Sequence, residues 1–103
     1  MLTKKNTHAL RRGIDKTNDR FPVVFKALGD PGRYRIFRLL MEKHDICVTE
    51  VAQVCGMSVP AASQQLRILE RVGLVRKERM GQMICYVLRD DDPMTKGILC
   101  IFR

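Results

Sequence analysis

The sequence predicts a mainly α-helical domain with one small β-hairpin, which places the chain in the α+β class. Apolar residues recur at helical spacing in several segments, most of these segments begin with a capping residue or a proline, and alternating residues flank one glycine further on. A chain of 103 residues is long enough for a single core. We expect a basic N-terminal arm and the start of the first helix in residues 1–20, and one folded domain in residues 21–103.

Helical spacing begins in the N-terminal third of the chain. Leu10 and Ile14, four residues apart, form the apolar stripe before Asn18 and predict a mobile arm followed by a short helix. A second stripe of three apolar residues stops at Gly29, and glycine commonly follows a helix end. The three residues are Phe21, Phe25 and Leu28.

A helix with two distinct faces follows. Asp30 can cap its N-terminus, and Pro31 suits the first turn because the N–H that proline lacks would be unpaired there. Ile36, Leu39 and Leu40 follow a period of about 3.6 residues and predict the buried face. The arginines of this helix lie away from that stripe and can meet water, phosphate or a dimer partner. They are Arg33, Arg35 and Arg38.

Two short helices joined by one glycine come next. Residues 46–48 fit a very short strand, and Thr49 can cap the helix after it. Gly56 permits a sharp turn, Ser58 can cap the second helix, and Gly73 ends it. The buried face of the second helix is predicted to consist of Ala62, Leu66 and Leu69. This is the helix-turn-helix arrangement, whose second member enters the major groove of DNA.

The opposite face of that second helix is polar and basic. Ser and Gln side chains bond base edges, with Gln suited to adenine, and Arg reads guanine or holds phosphate. On an isolated helix such residues usually only face water, but after a helix and a tight turn they predict contacts with double-stranded DNA. The predicted contacts are Ser58, Pro60, Ser63, Gln64, Gln65, Arg67 and Arg71.

A basic hairpin follows the second helix. Residues 74–78 and 83–89 read as two strands around Gly81. The face of the second strand that we expect to be buried comprises Ile84, Tyr86 and Leu88. Cys85 falls on the other face, so we expect an exposed thiol there. The hairpin is the wing of a winged helix-turn-helix, and the residues predicted to reach flanking phosphates or the minor groove are Arg76, Lys77, Arg79 and Gln82.

The C-terminal end predicts a last helix with an apolar surface. Asp92 and Pro93 repeat the arrangement of cap and proline seen earlier in the chain. The apolar residues expected to line this helix are Met94, Ile98, Ile101 and Phe102. An end so apolar needs a partner surface.

Charge and composition limit the classes of function that the chain can have. The formal charge is +8, which favours a polyanionic partner. Residues 1–43 hold 11 basic and 4 acidic residues, so the N-terminal part is expected to help hold phosphate. No stretch reaches the roughly 18 continuous apolar residues of a membrane span, and the N-terminus lacks the apolar core of a signal peptide. We therefore expect a cytoplasmic protein without a membrane partner.

The motifs resemble the ArsR/SmtB family of small dimeric winged-helix repressors over residues 25–88. The resemblance rests on residues 25–33, Ile36, 39–40, 48–52, Ser58, 62–66, 73–75, Arg79, Gly81 and 86–88. It implies a homodimer built from the first and last helices that binds an imperfect inverted repeat in a promoter. It also implies release from that operator when an inducer binds.

The four cysteines leave the inducer open. Of the cysteine positions in the family's metalloid site, only Cys47 is cysteine here, since Thr49 and Ala52 occupy the others. The family's other metal site, made of Asp and His pairs on the last helix, is absent. No cofactor is needed for the fold. A soft metal or metalloid could still use Cys47 and Cys55 with a cysteine of the other subunit, because thiolates select soft ions.

Thiol redox sensing is a second reading of the cysteines, with Cys85 and Cys100 as candidates. Cys47 and Cys55 would be about 12 Å apart if all the steps between them were helical, too far for a direct disulfide. The third reading is that the cysteines only pack, and that the signal is a small ligand, a partner protein or the concentration of the chain itself.

Two other function classes compete with a DNA-binding repressor. A protein-interaction module that kept the fold but lost DNA binding is one, and the incomplete sensor site supports it weakly. An enzyme is the other, and the sequence contains no GxxxxGKS, GxSxG or HExxH motif. We therefore expect no catalytic activity.

Overall fold

The computed structural model describes residues 1–15 and 19–102 of the chain. Within these residues it contains six helices and three strands. They are α1 (Lys4–Asp15), α2 (Phe21–Leu28), α3 (Pro31–Glu42), β1 (Ile46–Cys47), α4 (Val48–Cys55), α5 (Val59–Arg71), β2 (Val75–Met80), β3 (Met83–Leu88) and α6 (Pro93–Phe102). The predicted mainly helical fold with a small hairpin is confirmed.

The N-terminal segment is more helical than its short apolar stripe indicated. Helix α1 begins at Lys4, and no residue of α1 is buried. Leu10 and Ile14 are therefore left on the surface of the chain. Residues 16–18, the end of the predicted arm, lie outside the described residues.

Capping side chains place the starts of α3, α5 and α6 where the sequence predicted them. The predicted Thr49 cap is wrong, because α4 already begins at Val48, where Cys47 and Glu50 form a capping box. The carboxylate of Asp30 accepts a hydrogen bond from the backbone N–H of Arg33 at 3.0 Å, with Pro31 in the first turn of α3. Asp92 caps α6 in the same way, because its Oδ2 accepts from the backbone N–H of Thr95 at 3.1 Å. Caps of this kind satisfy N–H groups that have no partner within the helix.

The three strands form an antiparallel sheet in the order β1, β3, β2. The sequence predicted the hairpin of β2 and β3 and a short strand near residue 46, but not which strand β1 would pair with. The structure places Ile46 opposite Tyr86 and Cys47 opposite Cys85. Strand β3 is therefore the central strand.

One core joins the helices to one face of the sheet. Helix α5 buries the three residues predicted for it, and α3 buries Phe37 beside the predicted Ile36 and Leu40. Tyr86 and Leu88 bring the sheet into the same cluster. The largest side chains with almost no exposed surface include Phe37, Ile36, Leu40, Ile46, Leu66, Leu69 and Leu74.

Two expectations about burial are wrong. Cys85 is 6% exposed and not open to solvent, because β3 is central and β1 and β2 flank Cys85 on both sides. Ile84 is 47% exposed, because it lies near the tip of the hairpin, beyond the core. On α6 the buried residues are Thr95, Ile98 and Leu99, and Ile101, one of the residues expected to line this helix, is 68% exposed.

Candidate nucleic-acid interface

A left-handed glycine sets the angle between α4 and α5. Gly56 follows α4 with φ of 65°, a conformation that glycine adopts without steric cost. The N–H of Met57 then donates to the carbonyl of Ala52 at 3.0 Å, which closes the end of α4. The hydroxyl of Ser58 accepts from the N–H of Ala61 at 3.2 Å and starts α5. The predicted helix-turn-helix is thus present with its local signals in place.

The outer face of α5 is open to a large partner. Ser58, Pro60, Gln64, Arg67 and Arg71 are all exposed. Ser63 is half-buried, and Arg67 folds back along the helix so that its Nε lies 3.4 Å from the carbonyl of Ser63. These side chains occupy a single helix face opposite the core residues. In a helix-turn-helix this is the face that enters the major groove.

Gln65 occupies a different environment from its neighbour Gln64. Its Oε1 accepts a hydrogen bond from Arg33 Nη1 at 2.9 Å, and its Nε2 donates to Asp30 Oδ2 at 3.3 Å. Arg33 also donates through Nε to the carbonyl of Ala27 at 2.7 Å, so one guanidinium joins α2, α3 and α5. Sequence spacing did not reveal this link, because it joins residues that are 32 positions apart.

The basic residues of the wing, the hairpin of β2 and β3, lie on both faces of that hairpin. Lys77 lies opposite Tyr86, on the core side, and its Nζ is 3.8 Å from Glu70 of α5. Arg76 lies on the other face, where it pairs with Glu78 at 2.9 Å and with Asp91 at 3.6 Å. Among the described residues Arg79 forms no ion pair, and both it and Gln82 are exposed near the tip.

The candidate sensor cysteines are distributed differently from the sequence prediction. Cys47 and Cys55 are both buried and lie at opposite ends of α4. Burial raises the pKa of the Cys55 thiol, and the nearby Arg35 partly opposes this effect. Cys100 is exposed, whereas Cys85 is buried. No set of three or more His, Cys, Asp or Glu side chains in the described residues is arranged to hold a metal ion.

Comparisons with known proteins agree with this geometry. Residues 30–77 match the family model described as bacterial regulatory protein, arsR family. The chain is 35% identical over 68 residues to the cadmium resistance transcriptional regulatory protein CadC homolog of Staphylococcus aureus, which is 66% of this chain and 56% of that protein. It is also 35% identical over 68 residues to the uncharacterized HTH-type transcriptional regulator MJ1325 of Methanocaldococcus jannaschii, covering 66% of this chain and 76% of that one.

A solved structure extends the likeness to the whole fold. The transcriptional repressor BigR from Xylella fastidiosa superimposes with a TM-score of 0.75 at 26% identity, over 89% of each chain. The chain spans little more than half the length of the staphylococcal relative. Among the described residues, no helix combines the length and the apolar composition that a membrane span requires. On the family match, the shared sequence and the shared winged fold, the chain belongs to the ArsR family of bacterial regulatory proteins.

Proposed function

We propose that this chain is a sequence-specific transcriptional repressor that binds double-stranded DNA and leaves it when an inducer binds. The observation that carries the proposal is the exposed face of α5 beyond a tight turn, where Gln64 and Arg67 are open to solvent and Arg67 hydrogen-bonds to Ser63 of the same helix. Relatives described as a cadmium resistance regulator and a transcriptional repressor support this class.

The proposed DNA interface has two parts with different tasks. Helix α5 would enter the major groove with Ser58, Pro60, Ser63, Gln64 and Arg67 towards the base edges. Arg71, Lys77, Arg79 and Gln82 would hold the flanking backbone, and Arg76 would contribute less because two carboxylates already pair with it. We assign Gln65 to positioning α5 on α3 and not to base contact, since its amide oxygen accepts from Arg33 and its amide nitrogen donates to Asp30.

The apolar surface of the chain supports a homodimer. Phe21 and Phe25 of α2 contact each other with ring centroids 5.5 Å apart, yet they are 42% and 53% exposed. Leu10 and Ile14 of α1 and Ile101 of α6 are also exposed. A second copy would cover these residues through the first and last helices. Its two-fold symmetry would match an inverted repeat with one half-site for each α5.

The first experiment measures binding of the purified full chain to its own upstream DNA. We expect one complex per inverted repeat, an affinity that falls steeply as salt rises, and much weaker binding to a scrambled duplex of equal length. Gln64→Ala should reduce the preference for the repeat by about tenfold. Sedimentation of the same sample should give a dimer.

A folded chain that shows no salt-dependent binding to the upstream DNA would overturn the proposal. Indifference to Gln64→Ala on every duplex would instead favour a protein-interaction module. A catalytic role finds no support in relatives that are described as transcriptional regulators. A regulator of this kind would act in the cytoplasm, where the bacterial chromosome lies.

A further inference from the structure

An open groove lies between the exposed face of α3 and the C-terminal end of α4. It has a volume of about 360 Å³, and small-molecule sites have volumes of about 300–1,000 Å³. Leu39 of α3 and Val54 and Cys55 of α4 line it. Leu39 is half-buried and Cys55 is buried, whereas Val54 is 60% exposed. The groove therefore offers apolar surface to a ligand that is small enough to enter it.

Two guanidinium groups line the same groove. Arg35 is exposed and Arg38 is half-buried, and they lie about one turn apart on α3. Neither forms an ion pair with a carboxylate of the residues that the structure describes. The positive charge reaches the floor of the groove, because Arg35 opposes the increase that burial causes in the pKa of the Cys55 thiol. Cations without an internal partner beside apolar surface favour an anionic ligand.

Aromatic rings position the second guanidinium. Arg38 Cζ lies 5.3 Å from the centroid of the Phe102 ring of α6, which is a cation–π contact. The Phe102 ring also contacts that of Tyr34, with centroids 5.9 Å apart, and Tyr34 lines the groove. A guanidinium that contacts a ring still has N–H groups with which to bind a carboxylate. The contact therefore restricts Arg38 before a ligand arrives.

One carboxylate limits the charge of the ligand. Glu42 lies about one turn beyond Arg38 on α3, is exposed and lines the groove. Beside the two arginines it leaves one positive charge in excess. Glu42 would repel a second negative charge on the ligand at this end of the groove. The groove therefore suits a monoanion better than a dianion.

We propose that this groove binds a small organic monocarboxylate with an apolar or aromatic body. The carboxylate would accept hydrogen bonds from Arg35 and Arg38, since guanidinium groups match its geometry. The body would lie on Leu39, Val54 and Tyr34. The sequence left these arginines open to water, phosphate or a dimer partner. A DNA phosphate would satisfy the two cations but would leave the apolar wall of the groove uncovered.

The position of the groove would couple it to DNA binding, a step that rests on the proposed function. Val54 and Cys55 are the last two residues of α4, and Gly56 follows them in the left-handed conformation that directs the chain into α5. A ligand between α3 and the end of α4 would bear on this turn. If it prefers the arrangement that the turn has without DNA, it lowers the affinity for DNA by the same factor. The monocarboxylate would then be the inducer.

The test titrates 2-naphthoate into the full chain without DNA and records its fluorescence and the amide NMR shifts of the protein. 2-Naphthamide, which has the same rings and no charge, is the matched probe. We expect one naphthoate per chain, bound at least about tenfold more tightly than the amide. Arg35→Gln/Arg38→Gln should remove this preference. Arg89→Gln changes an arginine outside the groove, paired with Asp91 at 3.8 Å, and should leave it unchanged.

Circular dichroism checks the fold of each variant, and Val54→Asp, a change at an exposed position, should also weaken naphthoate binding. Equal affinity for acid and amide, no saturable shift of groove residues, or binding unaffected by the double variant would overturn the proposal. So would a salt slope of DNA binding that falls by about 0.9 for each arginine removed, since Arg35 and Arg38 would then be phosphate contacts. Because the naphthoate titration contains no DNA, its result is independent of the proposed repressor activity.

Discussion

Helix α5 and the wing carry similar numbers of polar and basic residues, yet the contacts of these residues within the chain differ. On the outward face of α5, Arg67 hydrogen-bonds to the carbonyl and the hydroxyl of Ser63 in its own helix. On the wing, Arg76 and Lys77 are already paired with carboxylates of the same chain. A charged side chain with an internal partner gains less from a phosphate, because the first ion pair must be given up.

Under the proposed function, this difference would give sequence recognition to α5 and general affinity for DNA to the tip of the wing. The two regions also differ in how much of their apolar surface is buried. Helix α5 buries three apolar side chains completely, whereas β3 leaves Met83 and Ile84 exposed at its start. Recognition requires a rigid helix, while a backbone contact tolerates movement. Three measurements test this comparison, beginning with the largest expected effect.

The anchoring of α5 should dominate stability. Leu66 has no exposed surface, so Leu66→Ala leaves a cavity and should lower the free energy of unfolding by about 2–5 kcal/mol. Ile84→Ala on the wing, where the side chain is 47% exposed, is the matched control and should change it by less than about 1 kcal/mol. Urea unfolding at one protein concentration measures both. Equal losses would mean that the wing is anchored as firmly as α5.

The two adjacent glutamines of α5 should separate stability from recognition. Gln65→Ala removes bonds to Arg33 and Asp30 and should lower the free energy of unfolding by about 1–2 kcal/mol. It should also weaken binding to all DNA sequences alike, with the salt dependence unchanged. Gln64→Ala should leave stability within about 0.5 kcal/mol and relax the preference for one base pair. The positioning assignment would be wrong if Gln65→Ala changed base preference.

The helices and the hairpin were predictable because their signals are local. Caps such as Asp30 and Ser58, and the turn at Gly56, need only neighbouring residues. Burial of Cys85 was not predictable, because it depends on β1, a two-residue strand that pairs with β3 from 38 positions away. A period-2 pattern identifies two faces but cannot show that both are covered. The role of Gln65 escaped prediction for the same reason.

The smallest effect is expected at the base of the wing. Arg76 is held by Glu78 and Asp91, so Arg76→Ala should alter DNA affinity and its salt dependence less than Arg79→Ala does. Arg79 has no carboxylate partner among the described residues, and its removal should reduce the slope of log affinity against log salt by about 0.9, as for one phosphate contact. Titrations of one duplex at several salt concentrations compare the two variants. If Arg76→Ala reduced the slope as much as Arg79→Ala, Arg76 would exchange its carboxylates for phosphate on binding, and the wing would contribute cations from both of its faces.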